Sequence, residues 1–474
     1  MSASYRSTTA RWWQTLGDGE VALCVAHVVL GVWLRRPLPV VAVGLILAMI
    51  GVRRVVCCAA VVLGIIGSLL SVHAWNEVVP DHLGAYSGTG CLVADPAPVA
   101  GATAAVVEID GERFEAWLRG SSGRRVDGHL AGECARIIGI RQALQGSGAH
   151  RAAVRHVVGG LTLQSAGDWS PGTQLAQASN RVRRLFADGA SELRAPDDAL
   201  FAGLVIGDDR REPPAMIDQF RGSGLSHLTA VSGQNVAFML AAAGPLLRRL
   251  RPWARWVATL AVIGWFVVLT RFEPSVLRAA VMAGIASTGV VLGREKPPAR
   301  VLALAVGVLV LADPFLVWSV GFWLSVSATG GVVLLANRLA ERIPGPDWLT
   351  IPAGVTLGAQ AGIAPISLLV FGRLPLVSLP ANLLAVPAAG GVMLYGLPAG
   401  LVAGALHRGP IPGLAGVVQL PSALGTHWVA AVAALGARLE PPIMVGVVGW
   451  AAVVVFLATR IGMARRRSVC EGVC

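Results

Sequence analysis

The chain has 474 residues, of which 54% are hydrophobic and only 14% charged, against roughly 25% charged in an average soluble domain. Many of its apolar runs approach or exceed the roughly 18 residues of a membrane span, so an ordinary soluble protein is excluded and an α-helical polytopic membrane protein is expected. The net charge of +12 would suggest nucleic acid in a soluble chain, but here arginine in cytoplasmic loops sets orientation first.

The N-terminal residues Met1–Gly19 read as a short cytoplasmic tail. Arg6 and Arg11 precede apolar sequence that continues to Val72, far beyond the apolar region of a cleaved signal. Residues 1–74 hold three apolar segments, Val21–Leu34, Val40–Val52 and Val55–Val72. The first two are short for spanning helices, which suits a hairpin or a tilted arrangement. Arg53 and Arg54 fit a cytoplasmic turn, whereas Arg35 and Arg36 fall on the outside in this scheme, against the charge rule.

Residues 75–169 change character, with shorter apolar runs and more charge. Arg113–Leu118 alternates, with Phe114, Ala116 and Leu118 on one face. Val106–Ile109, Glu133–Ile140 and Val154–Leu163 also read as strands between turn residues. About five short strands suggest a small all-β barrel of the OB type, extracytoplasmic if three helices precede it. Cys91 and Cys134 both lie there. An oxidising compartment permits a disulfide between them; the alternative is two buried thiols, since geometry decides.

Residues 170–200 read as an amphipathic basic linker helix with Arg181, Arg183 and Arg184, lying on the membrane surface or in solvent. Residues 201–460 are membrane sequence. Candidate spans are Leu225–Leu247, Trp256–Thr270, Ser275–Leu292, Val301–Leu311, Phe315–Ala336, Trp348–Val370, Leu376–Ala403, Leu414–Ala437 and Pro442–Thr459. Basic residues cluster at 248–255, 294–300, 338–342, 407–408 and 465–467. These are alternate loops, which places them and both termini in the cytoplasm, with residues 461–474 as a tail. Pro365 interrupts one span, and Pro380, Pro387 and Pro398 another with Asn382 among them. Broken helices at membrane depth line a cavity or are buried in protein; the Asn382 amide favours the cavity.

The densest polar cluster is Ser226-His227-Leu228-Thr229, continuing to Ser232-Gly233-Gln234-Asn235. Such a cluster at the mouth of an apolar helix is a functional-site hypothesis. His227 is read as functional because polar neighbours accompany it; the alternative is a capping or packing residue at the helix start. Ser232, Gln234 and Asn235 either line a path or bridge helices. Arg278, inside a span, contacts a substrate anion, makes a structural pair with Asp313 or Glu273, or snorkels toward the outer surface. Gly224–Leu228 lacks the closing glycine of a nucleophile elbow. No His-Glu-x-x-His motif occurs, and Lys296 is the sole lysine, outside any phosphate-cradling loop. No catalytic residue, metal site or cofactor is therefore assigned.

Four blocks resemble the ComEC competence family. They are Leu204–Asp209 with Phe220–Gly233, Pro274–Ala280, Asp313–Phe315 with Gly321–Ser325, and Phe371–Pro375 with Pro380–Pro387. The resemblance implies a bacterial inner-membrane channel for DNA uptake and adds weight to the Cys91–Cys134 bridge. Two departures stand out. Gln234-Asn235 replaces a frequent Leu-His, which loses a titratable group. The chain also stops soon after its last span, without the metallo-β-lactamase-like domain that many members carry, so strand degradation is expected to need another protein.

The resemblance further implies single-stranded DNA as substrate. It implies a separate DNA receptor, a nuclease, and a cytoplasmic motor or single-strand-binding proteins as partners, in a lipid setting, with a homo-oligomer left open. Ser226, His227, Ser232, Gln234, Asn235, Arg278 and Asn382 would line the DNA path. In the outer domain Arg113, Trp117, Arg119, Arg124 and Arg125 are candidates for a single-strand surface of basic and stacking groups; the alternative is a spacer domain. On the same scaffold, the competing functions are a transporter or flippase for another anionic polymer or lipid, and an intramembrane hydrolase using Ser226 or His227.

Overall fold

The computed structural model describes residues 16–459 apart from 100, 230–232, 410–411, 443, 454 and 457–458. Ser232, residues 1–15 and the tail from 460 onward lie outside the described residues. The chain divides into two compact units, Met1–Thr173 with Ala280–Phe322, and Gln174–Ala279 with Trp323–Cys474.

The apolar segments at the N-terminus form α1 (Asp18–Leu34), α2 (Pro37–Met49) and α3 (Arg54–Glu77). Pro37 opens α2, where its missing N–H would have had no helical partner. The 13 residues of α2 rise about 20 Å, short of the roughly 30 Å hydrocarbon core. The 24 residues of α3 reach about 36 Å and are enough to cross. Arg35 ends α1 at φ 53°.

Six strands follow: β1 (Gly84–Leu92), β2 (Ala97–Val99), β3 (Ala102–Ile109), β4 (Glu112–Leu118), β5 (Cys134–Ala143) and β6 (Gly159–Ser170). Their order is β1-β5-β6-β4-β3-β2, and β1 pairs with β3 as well. All but the short β2 thus close into a five-stranded barrel, with β4 and β6 parallel. Helix α4 (Gly120–Asp127) lies between β4 and β5 in the chain. This is an OB-like domain. The alternation of β4 buries Phe114, Ala116 and Leu118 at 0%, 0% and 4% exposure, beside Val107, Ile109, Ile137 and Leu161. Each large apolar side chain so buried contributes roughly 1.5–3 kcal/mol. Cys91 and Cys134 face each other across β1 and β5 and form a disulfide.

The strand expected at Val154–Leu163 starts later. Helix α5 (Gly146–Ala153) precedes it, and the Val154 and Arg155 N–H groups donate to the His150 and Ala152 carbonyls. His156 then turns the chain at φ 57°, so β6 begins only at Gly159. A helical end stabilised by backbone bonds overrides the β preference of Val154, Val157 and Val158.

The remaining helices are α6 (Gln174–Ala190), α7 (Asp197–Ile206), α8 (Pro214–Gly222), α9 (Ser226–Thr229), α10 (Gly233–Leu247), α11 (Pro252–Leu269), α12 (Pro274–Val291), α13 (Pro298–Ala312), α14 (Val320–Ala340), α15 (Asp347–Phe371), α16 (Ser378–His407) and α17 (Pro412–Leu439). Among the described residues, seven helices (α3, α11, α12 and α14 to α17) are long and apolar enough to cross a membrane. The protein is a multi-pass α-helical membrane protein with a small OB-like domain.

Three expectations change here. Leu225–Leu247 is not one span, because α9 ends at Thr229 and α10 starts at Gly233. Phe315–Ala336 is not one span either. Pro314–Trp318 is a 3₁₀ turn whose Phe315 N–H donates to Asp313 Oδ1 at 3.0 Å. The helices with internal prolines stay continuous: α15 runs through Pro365, and α16 through Pro387 and Pro398. Pro380 falls in the first turn of α16, where no intrahelical N–H bond is lost. Helix α6 packs one face into the second unit, while Arg181 and Arg184 stay exposed. It buries Ser179, Asn180, Arg183, Phe186 and Gly189. A Cβ on Gly189 would lie 2.0 Å from the Gly400 carbonyl oxygen, so α6 and α16 pack backbone to backbone through small residues.

Within the first unit, Trp75 of α3 stacks on His150 at 4.8 Å and meets the edges of Phe315 and Trp318 at 5.1 and 5.5 Å. His156 Nε2 lies 3.2 Å from Asp313 Oδ2. The Arg35 guanidinium sits over Trp75 at 3.9 Å and Trp318 at 4.9 Å. These aromatic faces hold the cation and account for an arginine that the charge rule leaves unexplained.

Candidate functional site

The second unit brings together residues far apart in sequence. Gly224 takes φ +72°, and a Cβ there would lie 2.6 Å from Ser378 Cβ and 3.4 Å from Pro375 Cβ. The turn before α9 is thus pressed onto the start of α16. Ser378 Oγ donates to the Pro375 carbonyl at 2.7 Å and accepts from Gln360 Nε2 at 3.0 Å. Asn382 Nδ2 donates to the Ser378 carbonyl at 2.7 Å, and Asn382 is buried. The Glu440 carboxylate accepts from the Leu376 and Val377 N–H groups at 3.1 and 3.0 Å, a negative charge at a helix N-terminus.

A second junction centres on Arg278 in α12, which is 6% exposed. Its Nε donates to Ser325 Oγ of α14 at 2.9 Å. Its Nη2 would lie 2.9 Å from a Cβ on Gly233, so a side chain at the start of α10 would displace the tip of the guanidinium. Asn235 is also buried and donates to the Leu204 carbonyl at 2.9 Å, tying α10 to the end of α7. It borders a small pocket with Val205, Phe238, Phe266 and Met393. Ser226, His227 and Gln234 are exposed.

The third cluster is ionic. Arg183 of α6 is 4% exposed. It donates to the Leu269 carbonyl at 2.9 Å and pairs with Asp208 at 3.3 Å. Arg210 grips the same carboxylate through two bonds of 2.7 Å. Burial alone would raise the Asp208 carboxyl; the Arg210 hydrogen bonds and the charges of Arg183, Arg210 and Arg211 outweigh it and hold it at about 2. Arg271 turns at φ 59° and donates to Asn180 Oδ1 at 2.7 Å.

The proposed site residues thus separate. Arg278 and Asn235 are buried helix-bridging groups, Asn382 bonds within its own helix, and Ser226, His227 and Gln234 present accessible polar surface. Sequence reasoning missed Gln360, Ser378, Glu440, Arg183 and Ser325. Only Ser325 lay in a signature block; Gln360 and Glu440 bond partners 18 and 63–64 residues away, and Arg183 stood among other arginines of a basic helix, with nothing local to mark it as buried. On the OB-like domain, Trp117 is 55% exposed, and Arg119, Arg124 and Arg125 are exposed nearby in the chain. Arg113 lies 3.4 Å from Glu108, and Glu115 of the same outward face pairs with Arg155 at 3.1 Å. Trp117, Arg119, Arg124 and Arg125 thus stay exposed, as do Arg136 and Arg151. No group of three or more metal-ligating side chains is arranged to hold an ion among the described residues.

A family model described as competence protein matches residues 204–466, more than half of the chain. Over 225 residues the chain is 29% identical to ComE operon protein 3 of Bacillus subtilis (strain 168), covering 47% of this chain and 28% of that protein. Over 211 residues it is 26% identical to the uncharacterized protein YcaI of Escherichia coli (strain K12), covering 40% of this chain and 27% of that one. The chain covers less than a third of the length of these curated relatives. No solved structure matches it.

Proposed function

Because the chain belongs to the competence protein family, we propose that it supplies the membrane conduit through which single-stranded DNA passes into the cytoplasm during transformation. One observation carries the reading. All four signature blocks meet through direct contacts: Gly224 of the first with Pro375 of the fourth, and Gly233 of the first with Arg278 of the second, which bonds Ser325 of the third. The accessible Ser226, His227 and Gln234 flank these contacts in the chain and are the path residues of this reading. Arg278 supplies positive potential to that path and Asn382 positions the start of α16.

Moving one charge across 100 mV costs about 2.3 kcal/mol, and each nucleotide carries a phosphate into a negative interior. The conduit therefore works with a source of work, either a cytoplasmic motor or single-strand-binding proteins that trap the strand. A receptor and a nuclease upstream complete the scheme. The Trp117–Arg125 end of the OB-like domain receives the strand by stacking and phosphate contact.

The test is uptake of labelled DNA into the cytoplasm of a strain lacking the gene. It is complemented with wild type, His227→Ala or Arg278→Glu, each shown to reside in the membrane. Uptake that needs the gene and fails with the variants supports the conduit. Normal uptake in the deletion strain, in a host that does take up DNA, overturns it in favour of transport of another anionic polymer or lipid.

A further inference from the structure

Glu212 closes the loop between α7 and α8, and its N–H donates to the Asp209 carbonyl at 3.0 Å. The residue is 7% exposed. Its Oε1 is buried and has no hydrogen-bond partner among the described residues. A Cβ on Gly203 would lie 2.5 Å from that oxygen and 3.4 Å from the Thr229 carbonyl oxygen, so the carboxyl is wedged against α7 near the end of α9. No cation pairs with it among the described residues. Arg183 and Arg210 are committed to Asp208, and Arg271 to Asn180. Asp218 and Arg221 of α8 pair with each other, and Asp197 of α7 pairs with His427. Asp198 lies at the far end of α7, and His227 and Arg211 are exposed.

An isolated carboxylate with a buried, unbonded oxygen is very costly; one proton removes the charge. Burial, then the Asp209 charge, push the Glu212 carboxyl up to about 8. Burial raises Asp209 and Glu273 too, followed by the charge of Asp208 for the first and of Asp209 for the second.

We propose that Glu212 is a reversible proton-binding site whose proton is exchanged during each transport event. The step is simple: the carboxyl O–H bond breaks, its electron pair stays on the carboxylate, and the proton passes to water admitted when the loop moves. Ionisable groups of membrane proteins serve as such relays. Proton binding stands by itself; its exchange during transport rests on the DNA-conduit reading.

The experiment is infrared titration of the full chain in lipid nanodiscs. A protonated-carboxyl carbonyl band is expected at pH 7, absent in Glu212→Gln, and lost in wild type around pH 8. Asp209→Asn should shift that loss to lower pH, because it removes a neighbouring negative charge. Identical bands in wild type and Glu212→Gln, or no shift with Asp209→Asn, would overturn the site. The exchange step is read in cells. Glu212→Gln mimics the protonated form, so it should reach the membrane yet lose at least ten-fold in DNA uptake. Full uptake by this variant would mean a permanently held proton and overturn the exchange. Should the gene prove unnecessary for DNA uptake, the infrared result still decides the proton site, so the two failures are told apart.

Discussion

Asp208 and Gly233 show how single residues set this membrane unit. Asp208 is the counter-charge of a buried arginine, and Asp208→Ala removes the carboxylate that Arg183 pairs with in the interior. Removing one partner of a buried pair typically costs about 3–5 kcal/mol, so thermal unfolding of the variant in detergent at pH 7 should occur well below wild type. The pH sign follows from its depressed value. The unfolded carboxyl titrates at 3.8 and the folded one at about 2, so its stabilisation is complete above 3.8 and lost as pH falls through 2. The opposite holds for Glu212, whose folded value of about 8 exceeds its ordinary 4.5. Its contribution is complete below 4.5 and lost as pH rises through 8. Gly233→Ala would place a methyl 2.9 Å from Arg278 Nη2 and 3.1 Å from Ala279 Cβ. Overpacking of this kind costs about 1–3 kcal/mol, and displacement of the guanidinium should lower DNA uptake; a combined loss of melting temperature and uptake checks it. Sequence pointed to Arg278 because an arginine in an apolar span stands out. It could not point to Arg183, whose burial depends on Asp208 and the Leu269 carbonyl, 25 and 86 residues away.

At the scale of elements, the OB-like barrel was the more legible part. Alternation along β4 marks its buried face directly, and the Gly-rich turns mark its ends. The strand at β6 was misplaced because Val154, Val157 and Val158 favour strand locally, while the end of α5 holds the first of them helical. The proline-bearing helices were misjudged for a related reason. Each proline removes one backbone bond, but neighbouring turns and packing keep α15 and α16 whole. The Cys91–Cys134 bridge spans 43 residues, and a loop of that length restricts the unfolded chain by about 4 kcal/mol. Cys91→Ala/Cys134→Ala should therefore unfold the barrel at a lower temperature, and reductant should shift wild type in the same direction while leaving the double variant unmoved. Circular dichroism of the full chain in the β region reads both.

For the molecule as a whole, composition alone made the polytopic membrane character plain, and the signature blocks pointed to the family. How those blocks meet was invisible, because the contacts from Gly224 to Pro375 and from Gly233 to Arg278 join segments distant in sequence. The central claim is that the strand passes beside this junction. The most direct measurement places a photo-crosslinking residue at Gln234, exposed at the start of α10. A control probe goes at Leu369, 87% exposed on α15, and the cells import labelled DNA. Light-dependent DNA adducts at 234 and not at 369 are expected; adducts at neither position during active uptake, or equally at both, would contradict a conduit at this site.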